Sequence, residues 1–154
     1  MEWNGICIEP LPEIFTKLMD NRNNKSRNIM CAVDIDNGVK DFIKHTGVTD
    51  LFSGLKDHYD KRFLTLVDNV RNIKGGFYDE IKVKTHPLKV IFDQLKLDNV
   101  DYLSVDTCSS ELNVFKSIDY DKVFIHMISF DDTIHELSLD IIEYLKHFGF
   151  VYVA

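Results

Sequence analysis

The 154-residue chain is 45% apolar and 28% charged, as expected for one soluble domain with one core. Acids outnumber bases 25 to 18, giving a formal net charge of −7; this disfavours nucleic acid as main partner, because phosphate contacts need a basic footprint. The cysteines Cys7, Cys31 and Cys108 form no CxxC pair and read as reduced thiols. No apolar run is long enough to span a bilayer, and the opening "MEWNG" has no apolar signal core. The expectation is a single cytoplasmic domain over residues 1–154, with no membrane partner.

In chain order, "GICI" (5–8) reads as a short buried strand. Glu9 and Pro10 stop it, since a residue before proline is held extended. Pro12 suits a first helical turn, and Ile14, Phe15, Leu18 and Met19 share one helical face. "NIMCAV" (28–33) is a second strand closed by the turn "DIDNG", and "VKDFIKH" (39–45) is a weaker one. Residues 46–77 are the least legible; Leu66, Val67, Val70 and Ile73 have helical spacing and Gly75-Gly76 ends them. "DEIKVK" (79–84) alternates like a half-exposed strand. Pro87 opens a helix with Leu88, Ile91, Phe92 and Leu95 on one face.

"DYLSVD" (101–106) is a strand ending on an acid, with the short helix "SSELNVFKSI" after it. "KVFIHMISFDD" (122–132) is nearly continuous apolar, as a strand covered on both faces is, and also ends on acids. Ile134, Leu137, Ile141, Leu145 and Phe148 line a long helix stopped by Gly149, and "FVYV" reads as a last strand. Strands alternating with helices predict an α/β fold with one largely parallel sheet and helices on both faces. Ligands in such sheets sit at the strands' carboxyl ends, where Glu9, Asp106 and Asp131 all fall.

The segments "WNGICIEPLPEIFTKLMDNR", "CAVDIDNGVKDF", "LFSGL", "KVKTHPLKVIF", "DYLSVDTCSSELNVFKSIDY" and "YLKHFGFVYV", in this order and spacing, resemble the FkbM-type methyltransferases from about Trp3 to Val153. The resemblance implies a Rossmann-like fold and S-adenosylmethionine-dependent O-methyl transfer to a sugar or other small hydroxyl compound. It also implies that "GICIEP" is the second strand of the family's sheet. The chain then corresponds to the carboxyl two-thirds of the domain, without the first strand and its glycine-rich loop. At "DTCSSE" the family pattern is Asp, any residue, Glu-Gly, any residue, Glu. Asp106 and Glu111 match it, while Cys108 and Ser109 stand where the family has Glu and Gly.

The resemblance implies that Glu9 accepts hydrogen bonds from the cofactor's ribose hydroxyls, with Asp34 as a second cofactor-binding candidate; a solvated acid closing a strand is the alternative for Glu9. Asp106 is a base or positioner for the reacting hydroxyl, or a helix N-cap. Asp131 is a second catalytic candidate or metal ligand, with a helix-capping role the favoured alternative. His126 reads as a core histidine, and the other histidines show no HxH or HExxH spacing, so no metal is expected. Cys108 has no histidine near it in sequence, which disfavours a thiol nucleophile. "KDHYDKR" (56–62) is a substrate-loop candidate or a solvated charged face.

Two functions are carried forward: the methyltransferase, with a small-molecule hydroxyl substrate and a homodimer or complementing chain as partner, and a non-catalytic remnant serving as a binding module. For want of the first strand, residues 5–9 are expected to pair directly with 101–106. The expected sheet order is 28–33, 5–9, 101–106, 123–130, 149–153.

Overall fold

The computed structural model describes residues 4–22, 25–133 and 135–153, with backbone alone at 135 and 136. Gly5–Ile8 (β1) is followed by Pro12–Arg22 (α1) and then Ser26–Ile29 (β2), which pairs with β1 in parallel. The helix starts where proline allows, and the Leu11 carbonyl accepts from the Phe15 amide. The expected apolar face of α1 is only partly covered: Phe15 and Leu18 are half-buried, Ile14 and Met19 exposed.

The strand expected at 28–33 is broken into β2 and Ala32–Val33 (β3). Gly38–Thr46 (β4), Gly54–Leu55 (β5) and Phe77–His86 (β6) complete a mixed four-stranded sheet in the order β3, β6, β4, β5. β3 joins β6 in parallel, whereas β4 runs antiparallel to β6 along its whole length. Thus 39–45, the weak sequence signal, is part of the longest pairing. Within 46–77, the least legible stretch, lie two 3-10 turns, β5 and the helix Lys61–Lys74 (α2), which holds the expected helical spacing at 66–73, buries Phe63 and Val67 and leaves Ile73 exposed. Asp60 caps α2 by accepting from the Arg62 amide at 2.8 Å.

The second half begins with Leu88–Leu95 (α3), whose Leu88, Ile91 and Phe92 are buried. Its first amides need partners from outside the helix. The buried Ser117 supplies two: its Oγ accepts from Leu88 N, and its carbonyl from Lys89 N, both at 3.0 Å. Asn99–Val100 (β7) and Leu103–Val105 (β8) pair in parallel with Phe124–Ile125 (β9) and Ile128–Phe130 (β10) respectively. Both pairs keep one register, and bonds from His126 N to Val100 O and Leu103 N to Met127 O bridge the breaks. Glu111–Lys116 (α4) and His135–Lys146 (α5) pack against them. Ile134, expected to open the apolar face of α5, lies outside the described residues; Ile141 and Leu145 on that face are buried.

Two clusters form the core. The larger joins α3, β8, β9, α4 and α5 and takes in Cys31 and Val33; the smaller holds Leu11, Ala32, Phe42, Leu55 and Val83. Cys31 and Val33 thus face one cluster and Ala32 the other, as strand alternation requires.

Two expectations are corrected. Residues 149–153 form no strand. Phe148 stacks on Tyr120 with ring centroids 4.0 Å apart and Phe150 packs edge-on to the same ring, so the aromatics hold the end of α5 while Val151 and Val153 stay more than 80% exposed. β1 does not pair with β8. Each holds one partner, β2 and β10, and a cavity of about 600 Å³ lies between them. Cys31, which follows β2, is packed in one cluster with Leu88 and Val105, and that anchorage keeps the β1–β2 pair from closing onto β8. The single sheet expected from alternation is therefore four small ones among the described residues.

Candidate functional site

The cavity is walled by Ile6 and Ile8 of β1, Leu88, Leu103, Val105 and Val114. Glu9 and Asp106, which follow β1 and β8, also line it. Sequence alone placed these acids at strand ends, and the fold brings them to one space.

Glu9 is half-buried, and its Oε1 accepts from Leu11 N at 2.8 Å, closing the turn into α1. Its other oxygen has no hydrogen-bond partner among the described residues. Burial raises the Glu9 pKa above the ordinary carboxylate range, the Leu11 amide pulls it back in part, and the charge of Glu13 adds to the rise.

Asp106 stands on the exposed side of the cavity mouth, and its carboxylate has no hydrogen-bond partner among the described residues. Partial burial and then the charge of Asp131 raise its pKa. Asp131 follows β10 and lines a separate, water-sized cavity of about 20 Å³ with Glu111 and Ser109. The Thr133 hydroxyl donates to it at 2.5 Å. Asp106 and Asp131 are thus electrostatic neighbours that face different spaces.

Between Asp106 and α4, the loop carries two consecutive non-glycine residues with positive φ, Cys108 at 53° and Ser109 at 82°. The buried Glu111 holds it by accepting from the Thr107 amide at 2.7 Å and the Thr107 hydroxyl at 3.1 Å. Burial raises the Glu111 pKa; its own backbone amide and the Thr107 bonds pull it back in part, and the charge of Asp131 adds a smaller rise. Cys108 donates from Sγ to the Leu51 carbonyl, and burial beside three acids pushes its thiol up to about 12. A thiol so protonated is no nucleophile near neutrality.

Asp34 does not line the cavity. It is fully buried after β3; its Oδ1 accepts from Ile35 N at 2.8 Å, and its Oδ2 from Lys40 Nζ and from His58 Nε2 at 3.0 Å. Burial raises its pKa, but the Lys40, His58 and Ile35 bonds outweigh it and hold the group below the ordinary range. Asn113 Nδ2 donates to His58 Nδ1 at 2.6 Å, which leaves the Nε2 proton for Asp34. This chain of contacts ties the turn after β3 and the segment "KDHYDKR" to α4. His58 and Asn113 were missed because their partners lie 24 and 55 residues off in sequence; Lys40 is only six residues from Asp34, but no local pattern marks the pair. Glu111 stood in the sequence as a match to the family pattern but carried no assigned role.

Among the described residues, no group of three or more His, Cys, Asp or Glu is placed to hold a metal ion, and no helix is long and apolar enough to cross a membrane.

Acids following parallel strands thus open onto one shared cavity in an α/β fold. A sequence model of the methyltransferase FkbM domain matches residues 1–152, and the chain belongs to this methyltransferase family. No curated protein and no solved structure matches the chain at a significant level.

Proposed function

We propose that the protein is an S-adenosylmethionine-dependent O-methyltransferase whose acceptor is the hydroxyl of a small polyol such as a sugar. The observation that carries this reading is the convergence of Glu9 and Asp106 on one cavity in a chain of the FkbM family. The parallel β1–β2, β7–β9 and β8–β10 pairs support treating the frame as Rossmann-like.

The donor set fits the cofactor at its ribose end. Glu9 keeps one carboxylate oxygen unpartnered at the cavity, able to accept from vicinal hydroxyls. Acidic residues around the mouth also suit a ligand bearing a sulfonium and an ammonium charge. Bound there, S-adenosylmethionine would supply the methyl group. Asp106 would receive the proton of the acceptor hydroxyl, and its raised pKa makes it a better base than an ordinary aspartate. Asp131 acts through charge, sustaining that rise. Asp34 holds His58 and α4 in place and is a positioning residue.

Isothermal titration with S-adenosylmethionine tests the assignment. Binding is expected, with a loss of at least tenfold in Glu9→Gln and unchanged affinity in Asp106→Asn. No binding by the folded chain, or equal binding by Glu9→Gln, would overturn it.

A further inference from the structure

The face of β4 turned toward α2 carries a buried histidine. His45 is 5% exposed and stands opposite Tyr78 of β6 in the antiparallel ladder. Its ring lies 5.8 Å from that of Tyr78 and, edge-on, 6.5 Å from that of Tyr59, which in turn stacks on Phe63 of α2. Its Nδ1 is buried without a hydrogen-bond partner among the described residues. Arg71 of α2 sits over the Tyr78 ring, 5.4 Å from its centroid, and donates to Asp68 at 2.8 Å. The other charged groups nearby are engaged or look elsewhere. Farther along the same face Glu80 pairs with Lys56 and Asp41 with Lys82; Lys44 pairs with Glu13 of α1, and Asp50 lines the cavity. Burial first, and the Arg71 charge second, lower the His45 pKa below its ordinary 6.5, and Asp68 offsets part of this.

What rests on this histidine is more than one helix. The 3-10 turn Gly47–Phe52 packs against α2. Its Thr49 is fully buried, and Gly76, just past α2, lies so near that a Cβ there would stand 2.6 Å from Thr49 Oγ1. The His45 amide donates to Ser53 Oγ at 3.0 Å, at the end of the same turn. Gly47, Asp50 and Leu51 of this turn line the cavity. Helix, turn and cavity wall are therefore one mechanical unit seated on His45.

We propose that His45 is an acid-sensitive latch: protonation of its ring unseats α2 from β4 and β6 and, through the 3-10 turn, opens one wall of the cavity. An imidazolium donates from both ring nitrogens, and Nδ1 has no acceptor to meet it. A charge of the same sign, Arg71, already stands beside the ring. The inference concerns the wall rather than the ligand, so it holds whichever compound the cavity takes. The sign follows from linkage: a base whose folded pKa is lowered contributes stability that is fully present above the unfolded value of 6.5 and is lost as pH falls toward the folded value.

Proton NMR titration of the histidine rings, with amide hydrogen exchange between about pH 7.5 and about pH 5, tests it. In the unmodified chain His45 should titrate below 6.5. The Val67 and Thr49 amides should open together on acidification, after correction for intrinsic rate, by about tenfold for each unit by which the ring is held neutral below 6.5. The Val105 amide of β8 should keep its protection. Arg71→Gln should raise the His45 midpoint, and His45→Phe should abolish the acid-dependent opening. A His45 midpoint at or above 6.5, protection at Val67 that is indifferent to pH or lost while Thr49 keeps its own, or an acid-dependent opening that survives in His45→Phe would overturn the proposal. Should His45→Phe not fold, the titration and exchange of the unmodified chain and of Arg71→Gln still decide it.

Discussion

The turn after β1 and the loop after β8 follow the same plan, strand, acid, helix, yet solve it differently. After β1 the acid itself does the structural work: Glu9 is half-buried and accepts from the Leu11 amide, and Pro10 and Pro12 stiffen the turn. After β8 the acid is left exposed, and a second acid, Glu111, is buried to hold the backbone through Thr107. In the first turn the acid that fixes the backbone also lines the cavity. The second turn divides these between two acids, leaving Asp106 without a hydrogen-bond partner among the described residues at the cost of burying a carboxylate and straining Cys108 and Ser109. Strand-end acids that look alike in sequence are therefore not interchangeable.

The contrast is broken most strongly at Glu111. Glu111→Ala leaves the Thr107 amide and hydroxyl without their acceptor and should destabilise the protein by about 2–3 kcal/mol in urea unfolding. Glu9→Ala should cost only about 1 kcal/mol, since it leaves one amide rather than two groups without an acceptor and its turn keeps both prolines. Equal losses would mean that the two ends are built alike.

Ser109→Gly should stabilise the protein by about 1 kcal/mol. It relieves a side chain at φ 82° and removes a buried hydroxyl that has no hydrogen-bond partner. A thermal melt reads this directly, and a fall in Tm would show that the loop conformation costs nothing in its present form.

A smaller effect comes from pH. The Glu111 pKa is raised in the folded state, so its favourable contribution is fully present below the unfolded value of 4.5 and is lost as pH rises through the folded value. The stability of the unmodified chain relative to Glu111→Gln should therefore increase as pH falls from neutrality toward 4.5. Asp34 acts in the opposite sense: its lowered pKa gives a contribution present above 3.8 and lost as pH falls through the folded value. Asp34→Asn should accordingly flatten the acid limb of the stability profile. The last test is chemical. Alkylation of Cys108 in the folded chain should be slow near neutrality and keep rising with pH, with no plateau short of about 12.

The sequence by itself determined the local elements and where most of them stop. Pro12 and Pro87 set the starts of α1 and α3, Gly75 ends α2, and the apolar faces of α3 and α5 are buried as their spacing requires. The acids after β1, β8 and β10 were legible for the same reason, since the end of an apolar run is a local signal. Tertiary structure alone decided which edges meet. Period-two alternation records which face of a strand is buried, but not which neighbour it joins, so neither the unclosed gap between β1 and β8 nor the long β4–β6 pairing could be read. "FVYV" has strand composition, yet the stacking of Phe148 on Tyr120 holds the end of α5 where no strand pairs with it. The role of Asp34 was hidden likewise: its partner His58 lies 24 residues away and is itself held by Asn113, 55 residues further on, and charge environment is a property of space rather than of sequence neighbourhood.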